Sequence, residues 1–429
     1  MMKMEKNIAE ALPAHGKSSG NLFKNRIVLA IMGSNFLLQL GIWIRNFAIL
    51  LYVTDLTSND PVYVSLISIA EFAPIFIFSI IGGTFADRWK PKLTMVWCDV
   101  LSAVSIFVVL MTLVYGSWHA IFFATLVSAI LSQFSMPSAM RLLKQHVPEE
   151  QLQSAMAIFQ SLMAVFMVIG PVIGTLVYQS YGIYTSIIVM GVMFLLSAAV
   201  LTFLPRDLEK VKTEEESSFK KELADGFRYV IGKKVLTTMG GVFAACGLAV
   251  GLISPLMIFI TIENLGLSKD YLQWLIMANG IGMLAGGGIV IAFSKKISPQ
   301  KLLAIGIFSS MIFTISIGWS TSFPLTIGLQ LLNGMFFPCI HIGINTLILK
   351  NTDESFVGRV NGVLNPLFMG MMVAGMSLSG LLKTPLTLSG VYTVSGVLFL
   401  LGTLLILPLF KLKEDTIVSN QVVHVGEER

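Results

Sequence analysis

Few side chains in this 429-residue chain could hold a charge or move a proton inside an apolar environment. Arg45 and Glu71 are the sharpest pair. Arg45 lies about nine residues before the first short loop and Glu71 about ten after it, so at 1.5 Å rise per residue both sit roughly 13–15 Å deep on antiparallel neighbours. Either charge alone at that depth costs several kcal/mol, so the two are expected to pair. Two readings stay open: a static ion pair, or a proton-coupling carboxylate whose proton affinity changes as Arg45 approaches or leaves. His341 can carry protons near neutral pH, or can be a hydrogen-bonded histidine of a cavity wall. Asp99, one to two turns into its helix, is shallow enough to reach a Lys or Arg of the loops, which favours a structural role. No nucleophile–His–acid set is readable, and Cys98, Cys246 and Cys339 stand alone without metal-ligand spacing, so neither an enzyme nor a metal site is expected.

The elements that carry these residues follow from composition. The chain is 55% hydrophobic and 12% charged, against about 25% charged in ordinary soluble proteins. Twelve apolar stretches, 27–53, 62–83, 93–114, 119–142, 155–178, 183–204, 236–261, 271–293, 302–319, 323–348, 360–382 and 390–410, are each long enough to cross a bilayer as a helix. Of 29 basic residues, only Lys269 and Lys383 fall in the odd-numbered loops and only Arg45 inside a helix. The positive-inside rule therefore puts both termini in the cytoplasm, and the absence of an N-x-[ST] acceptor fits a bacterial inner membrane that the chain spans many times. The net charge of +5 belongs to this orientation signal and implies no nucleic-acid partner. Residues 1–26 read as a cytoplasmic tail, 27–204 as a first six-helix unit, 205–235 as a central cytoplasmic loop, 236–410 as a second six-helix unit and 411–429 as a second tail. Within the central loop, Leu223, Phe227, Val230 and Ile231 recur at helical spacing among Lys and Glu, the pattern of an amphipathic helix on the membrane face.

The two units look like repeats. A shift of 204 residues places Glu149-Glu150 on Asp353-Glu354 and Leu152 on Phe356, a parallel repeat of the kind found in alternating-access transporters. Asn35, Gln39 and Asn46 fall within about 40° of one another around the first helix. Gln330, Asn333, Phe337, His341 and Asn345 form one stripe about 120° wide on the tenth. Polar groups sharing a face avoid lipid, so these stripes line a central wet space or hydrogen-bond helix to helix. The 29 Phe and 23 Met could furnish an adaptable apolar wall. Neither a Walker sequence nor a nucleotide-binding domain is present, which disfavours ATP drive.

The second loop, Gly83-Thr-Phe-Ala-Asp87-Arg88-Trp-Lys90-Pro-Lys92, resembles the G-x-x-x-D-R-x-G-R-K signature of the major facilitator superfamily, with Lys90 and Pro91 in place of the usual Gly and Arg. The equivalent loop of the second half, Ser294-Lys295-Lys296, keeps the charge without the acid. The fifth helix carries Gly170-Pro171-Val-Ile-Gly174, similar to the core of the motif that marks antiporters of that superfamily, although Phe166 and Thr175 stand where the full motif has Gly. Phe134-Ser-Met-Pro137-Ser-Ala-Met-Arg141, Trp43 with the 51–57 region and Gly358-Arg359-Val360 look most like the macrolide-efflux branch, but the arginine that many drug exporters hold within the fourth helix is absent. The resemblance implies an all-α integral membrane protein with 12 transmembrane helices in two pseudo-symmetric six-helix bundles, the major facilitator fold. It implies that Gly83, Asp87, Arg88 and Lys92 gate the transporter, with Asp87 meeting the N-terminus of the eleventh helix. It also implies a monomeric proton-coupled exporter of lipophilic or amphipathic small molecules such as drugs or macrolides, without a cofactor. A dedicated transporter of one metabolite, peptide or siderophore is the alternative.

Overall fold

The computed structural model describes residues 25–86, 89–204, 219–293 and 297–426. Among them ten helices are long and apolar enough to cross a bilayer. Two of these, of 52 and 57 residues, break midway at Gly182 and Thr387, so the chain makes twelve crossings. In order the helices are α1 (Arg26–Leu56), α2 (Pro61–Ala86), α3 (Pro91–Val114), α4 (Ala120–His146), the broken α5 (Glu149–Thr202), the short α6 (Phe219–Gly232), α7 (Lys234–Ile253), α8 (Leu272–Phe293), α9 (Pro299–Trp319), α10 (Phe323–Asn351) and the broken α11 (Val357–Gly426). The last continues past the final apolar stretch at residue 410. After α7 the chain runs on through Met257–Phe259 and a wider π-turn at Ile260–Asn264.

Local chemistry sets the ends. Asn25 caps α1 by accepting from the Ile27 amide at 3.0 Å, satisfying a donor that the first helical turn leaves free. Pro91 and Pro299 open α3 and α9, where the missing N–H costs nothing. The turn that divides α5 needs φ of 74° at Gly182, a left-handed conformation that glycine adopts without strain.

The packing repeats. In the first half α1 packs on α5, α2 on α4, and α3 on α4 and α5. In the second half α7 packs on α11, α8 on α10, and α9 on α10 and α11. These are two matched bundles, and they meet mainly along two seams, α2 with α11 and α5 with α8. Call the face where α1 begins the near face, and the face with the α1–α2 turn the far face. A core cluster at the far face mixes Phe47, Leu51 and Val64 of the first bundle with Leu256, Phe259 and Leu272 of the second. Helix α6 lies at the near face on the second bundle. Its Tyr229 hydroxyl donates to Asp353 at 2.8 Å, and its ring stacks on Phe356 at 4.4 Å.

Gly170 and Gly174 let α5 approach α1. A Cβ at Gly174 would meet the Trp43 carbonyl oxygen at 2.7 Å and Phe47 Cβ at 2.8 Å. Gly287 on α8 faces open space. Gly174→Val should therefore force the helices apart and cost about 1–3 kcal/mol. Gly287→Ala should stabilise, by up to about 1 kcal/mol, through helix propensity alone. Thermal unfolding of the purified variants in detergent checks both signs.

Candidate functional site

The tenth-helix stripe lines a cavity. Gln330, Asn333, Phe337, His341 and Asn345 all face one space of about 630 Å³. Its walls come from α7 to α11 and from Met167 of the first bundle, so it lies against the seam but leans on the second half. The apolar lining is rich in Phe and Met, including Phe243, Phe368, Met283 and Met369. At the far end its lining residues Ile317, Gln330 and Tyr392 are buried. Toward the near face, His341, Asn345 and Asn365 are exposed. The Phe337 and His341 rings lie 4.8 Å apart, and the Asn279 amide donates to the Gln330 backbone and side-chain oxygens at 3.2 and 3.3 Å.

The far face is shut over this cavity. Lys269 forms an ion pair with Asp55 across the two bundles and donates to the Leu51 carbonyl at 2.9 Å. The Tyr178 ring lies 5.6 Å from the same ammonium. Lys383, the other basic residue on that face, pairs with Glu263 at 2.5 Å. Both far-face lysines thus have acidic partners beside them.

The first-helix stripe behaves differently from the expectation of a shared central space. Asn35 and Gln39 line a separate chamber of about 260 Å³ inside the first bundle, and Gln39 donates to the Met163 sulfur. Asn46 lines neither space. It stands between Arg45 and Glu71: its carbonyl oxygen accepts from Arg45 Nε at 2.9 Å and Nη2 at 2.7 Å, and its amide donates to Glu71 Oε1 at 2.8 Å. The expected direct Arg45–Glu71 pair is therefore replaced by a relay, because an adjacent amide can satisfy both charged partners at once. Arg45 is buried, and its Nη1 has no hydrogen-bond partner. Asp99 also departs from expectation. It is buried and accepts from Ser197 rather than from a loop cation.

Of the loop motif, Asp87 and Arg88 lie outside the described residues, as do Ser294, Lys295 and Lys296 of the matching loop. Gly83 falls in the last turn of α2. Lys92 donates to the Thr202 carbonyl at 2.8 Å and to that of Leu204, tying the start of α3 to the end of α5. Gly170 and Gly174, flanking Pro171, pack on Trp43 and Phe47. Asn279 and Asn365 are cavity residues that sequence reasoning passed over; the available signal was a lone amide within an apolar span.

The model of the Major Facilitator Superfamily matches residues 31–262 and 239–422. The uncharacterized MFS-type transporter YkuC of Bacillus subtilis is 27% identical over 397 residues, covering 89% of this chain and 91% of that protein. The multi-drug resistance efflux pump PmrA of Streptococcus pneumoniae is 26% identical over 336 residues, covering 73% of this chain and 78% of the pump. Among solved structures, a POT family transporter in complex with a thioalcohol-conjugated peptide has a TM-score of 0.73 at 14% identity, covering 90% of this chain and 96% of that one. The nucleoside transporter NupG has a TM-score of 0.69 at 13% identity, covering 90% and 99%. These two likenesses concern the fold.

The relay makes Asn46 the bond that Arg45 depends on. Asn46→Leu strands Arg45 Nε and Nη2 in a buried site and should cost on the order of 3 kcal/mol. Glu71→Gln keeps an acceptor for the Asn46 amide and should cost less. Chemical or thermal unfolding of the two variants gives the order, which a direct Arg45–Glu71 pair would reverse.

Proposed function

The chain belongs to the Major Facilitator Superfamily, and we propose that it is a proton-coupled exporter of lipophilic or amphipathic small molecules, working by alternating access. The observation that carries this reading is the cavity of about 630 Å³, closed at the far face by the Asp55–Lys269 pair and lined by exposed polar residues toward the near face. In this reading the bias of basic residues assigns the near face to the cytoplasm, so the state described is open inward. Substrate enters from the cytoplasm or the inner leaflet and meets Phe, Met and Asn side chains. Rings and thioethers adapt to varied apolar shapes, and the amides orient polar edges. Similarity to a pump named for multi-drug resistance supports export of varied compounds over uptake of one.

Release outward requires the far-face seal to part while the near face closes. Separating Lys269 from Asp55 hydrates both charges, so the exposed side of this pair breaks at modest cost. Once the far face has opened and the substrate has left, a proton from outside binds Glu71, which is linked to the buried guanidinium of Arg45 through Asn46. The protonated carrier returns to the inward-open state and releases the proton to the cytoplasm, so inward proton flow drives each outward substrate step. His341, on the cavity wall, contacts substrate in this reading and is a second proton acceptor.

Everted membrane vesicles with an imposed pH gradient should accumulate several unrelated lipophilic compounds and lose the accumulation when the gradient is collapsed. Saturable uptake of a single compound, with no transport of the others, would point instead to a dedicated carrier. Glu71→Gln should abolish gradient-driven accumulation while the protein remains folded. Full coupled transport by that variant would remove Glu71 from the coupling step.

A further inference from the structure

The chamber inside the first bundle is distinct from the central cavity and has an unusual chemical composition. Its volume is about 260 Å³, and it is lined by Asp99 together with serine and amide side chains of α1, α3 and α4. Asp99 is 3% exposed and takes part in a buried chain: Ser197 Oγ donates to its Oδ2 at 2.6 Å, and Ser34 Oγ lies 2.7 Å from Ser197 Oγ. Among the described residues, no basic side chain forms an ion pair with it. Three cations of the first bundle are engaged elsewhere: Arg45 on Asn46, Lys92 on the end of α5, and Arg141 on the Trp89 carbonyl at 3.3 Å. A buried carboxylate is tolerated when a positive partner or further hydrogen bonds compensate it, and one serine is a weak substitute.

A second observation points the same way. Asn35, also on the chamber wall, is 8% exposed, and its Nδ2 donates no hydrogen bond. An unused donor thus shares a confined space with a buried carboxyl group that has no cationic partner among the described residues. The aromatic rings of Phe159 and Phe194 line the same space, and ring faces attract organic cations. Half-buried Gln39 and Ser132 lead out past exposed Met136.

We propose that this chamber is a binding site for a small organic cation, an ammonium group with a hydrogen-bond-accepting oxygen nearby. The ammonium faces Asp99, and the oxygen accepts from Asn35. The site requires nothing of the central cavity, so its failure would leave the efflux reading standing.

Choline and its uncharged isostere 3,3-dimethylbutan-1-ol separate charge recognition from shape. Binding to the full-length protein in lipid nanodiscs should favour choline at least tenfold. Asp99→Asn should abolish that preference, and Asn35→Ala should weaken choline several-fold. The preference in the unsubstituted protein needs no variant, so it stays decisive even if Asp99→Asn fails to fold. Equal binding of the two compounds, or no binding of choline by folded protein, overturns the proposal. So does choline binding that survives Asp99→Asn but disappears in His341→Ala, which would place the cation in the central cavity.

Discussion

Hydrocarbon offers neither hydrogen bonds nor solvation for charge, and every polar group on these helices has to be answered from inside the protein. Helix backbones answer their own amides. Serine and threonine hydroxyls can return to a carbonyl of their own helix, as Thr54 does to Leu50 and Ser377 to Val373, so it is the longer polar side chains whose positions reveal where protein rather than lipid surrounds a helix. The Asn46 relay, the Ser34–Ser197–Asp99 chain and the Asn279–Gln330 contact all lie within bundles. Each marks a place where two or more spans are committed to one another.

The two seams between bundles are made differently from the bundle interiors. Glycines bring the spans close: a Cβ at Gly370 would lie 3.0 Å from the Phe76 ring, and one at Gly280 would lie 3.2 Å from a Val168 methyl. Close backbones gain packing without polar bonds that would have to be broken in each cycle. The polar fastening sits at the far face, where Lys269 bridges to Asp55 and Leu51 within reach of water. A transporter benefits from this division. Under the proposed alternating-access cycle the seams would pivot between bundles, and the far-face fastening seen among the described residues is one that water can solvate.

The cavity and the first-bundle chamber divide the chemistry between the halves. The second bundle supplies the wide, Phe- and Met-lined cavity and holds His341, while Arg45, Glu71 and Asp99 all belong to the first. The wide apolar wall and the intramembrane carboxyl groups Glu71 and Asp99 thus lie on different bundles, linked through the seams.

Length and hydropathy of the apolar runs determined, without reference to any fold, that the chain crosses the membrane twelve times, because a bilayer admits only helices of that length. The turn near residue 182, the amphipathic helix at Phe219 and the stripe from Gln330 to Asn345 were legible for a related reason: glycine and helical period act locally. Where the stripes point was not. Asn35 and Asn46 share a face of α1 yet meet different surroundings, one the first-bundle chamber and the other Arg45 and Glu71. Asp99 turned to Ser197, about a hundred residues away, rather than to the loop cations close by in the chain. Periodicity states which side chains share a face, whereas the partner on that face depends on which helix is packed there, and that is decided only when the bundle closes.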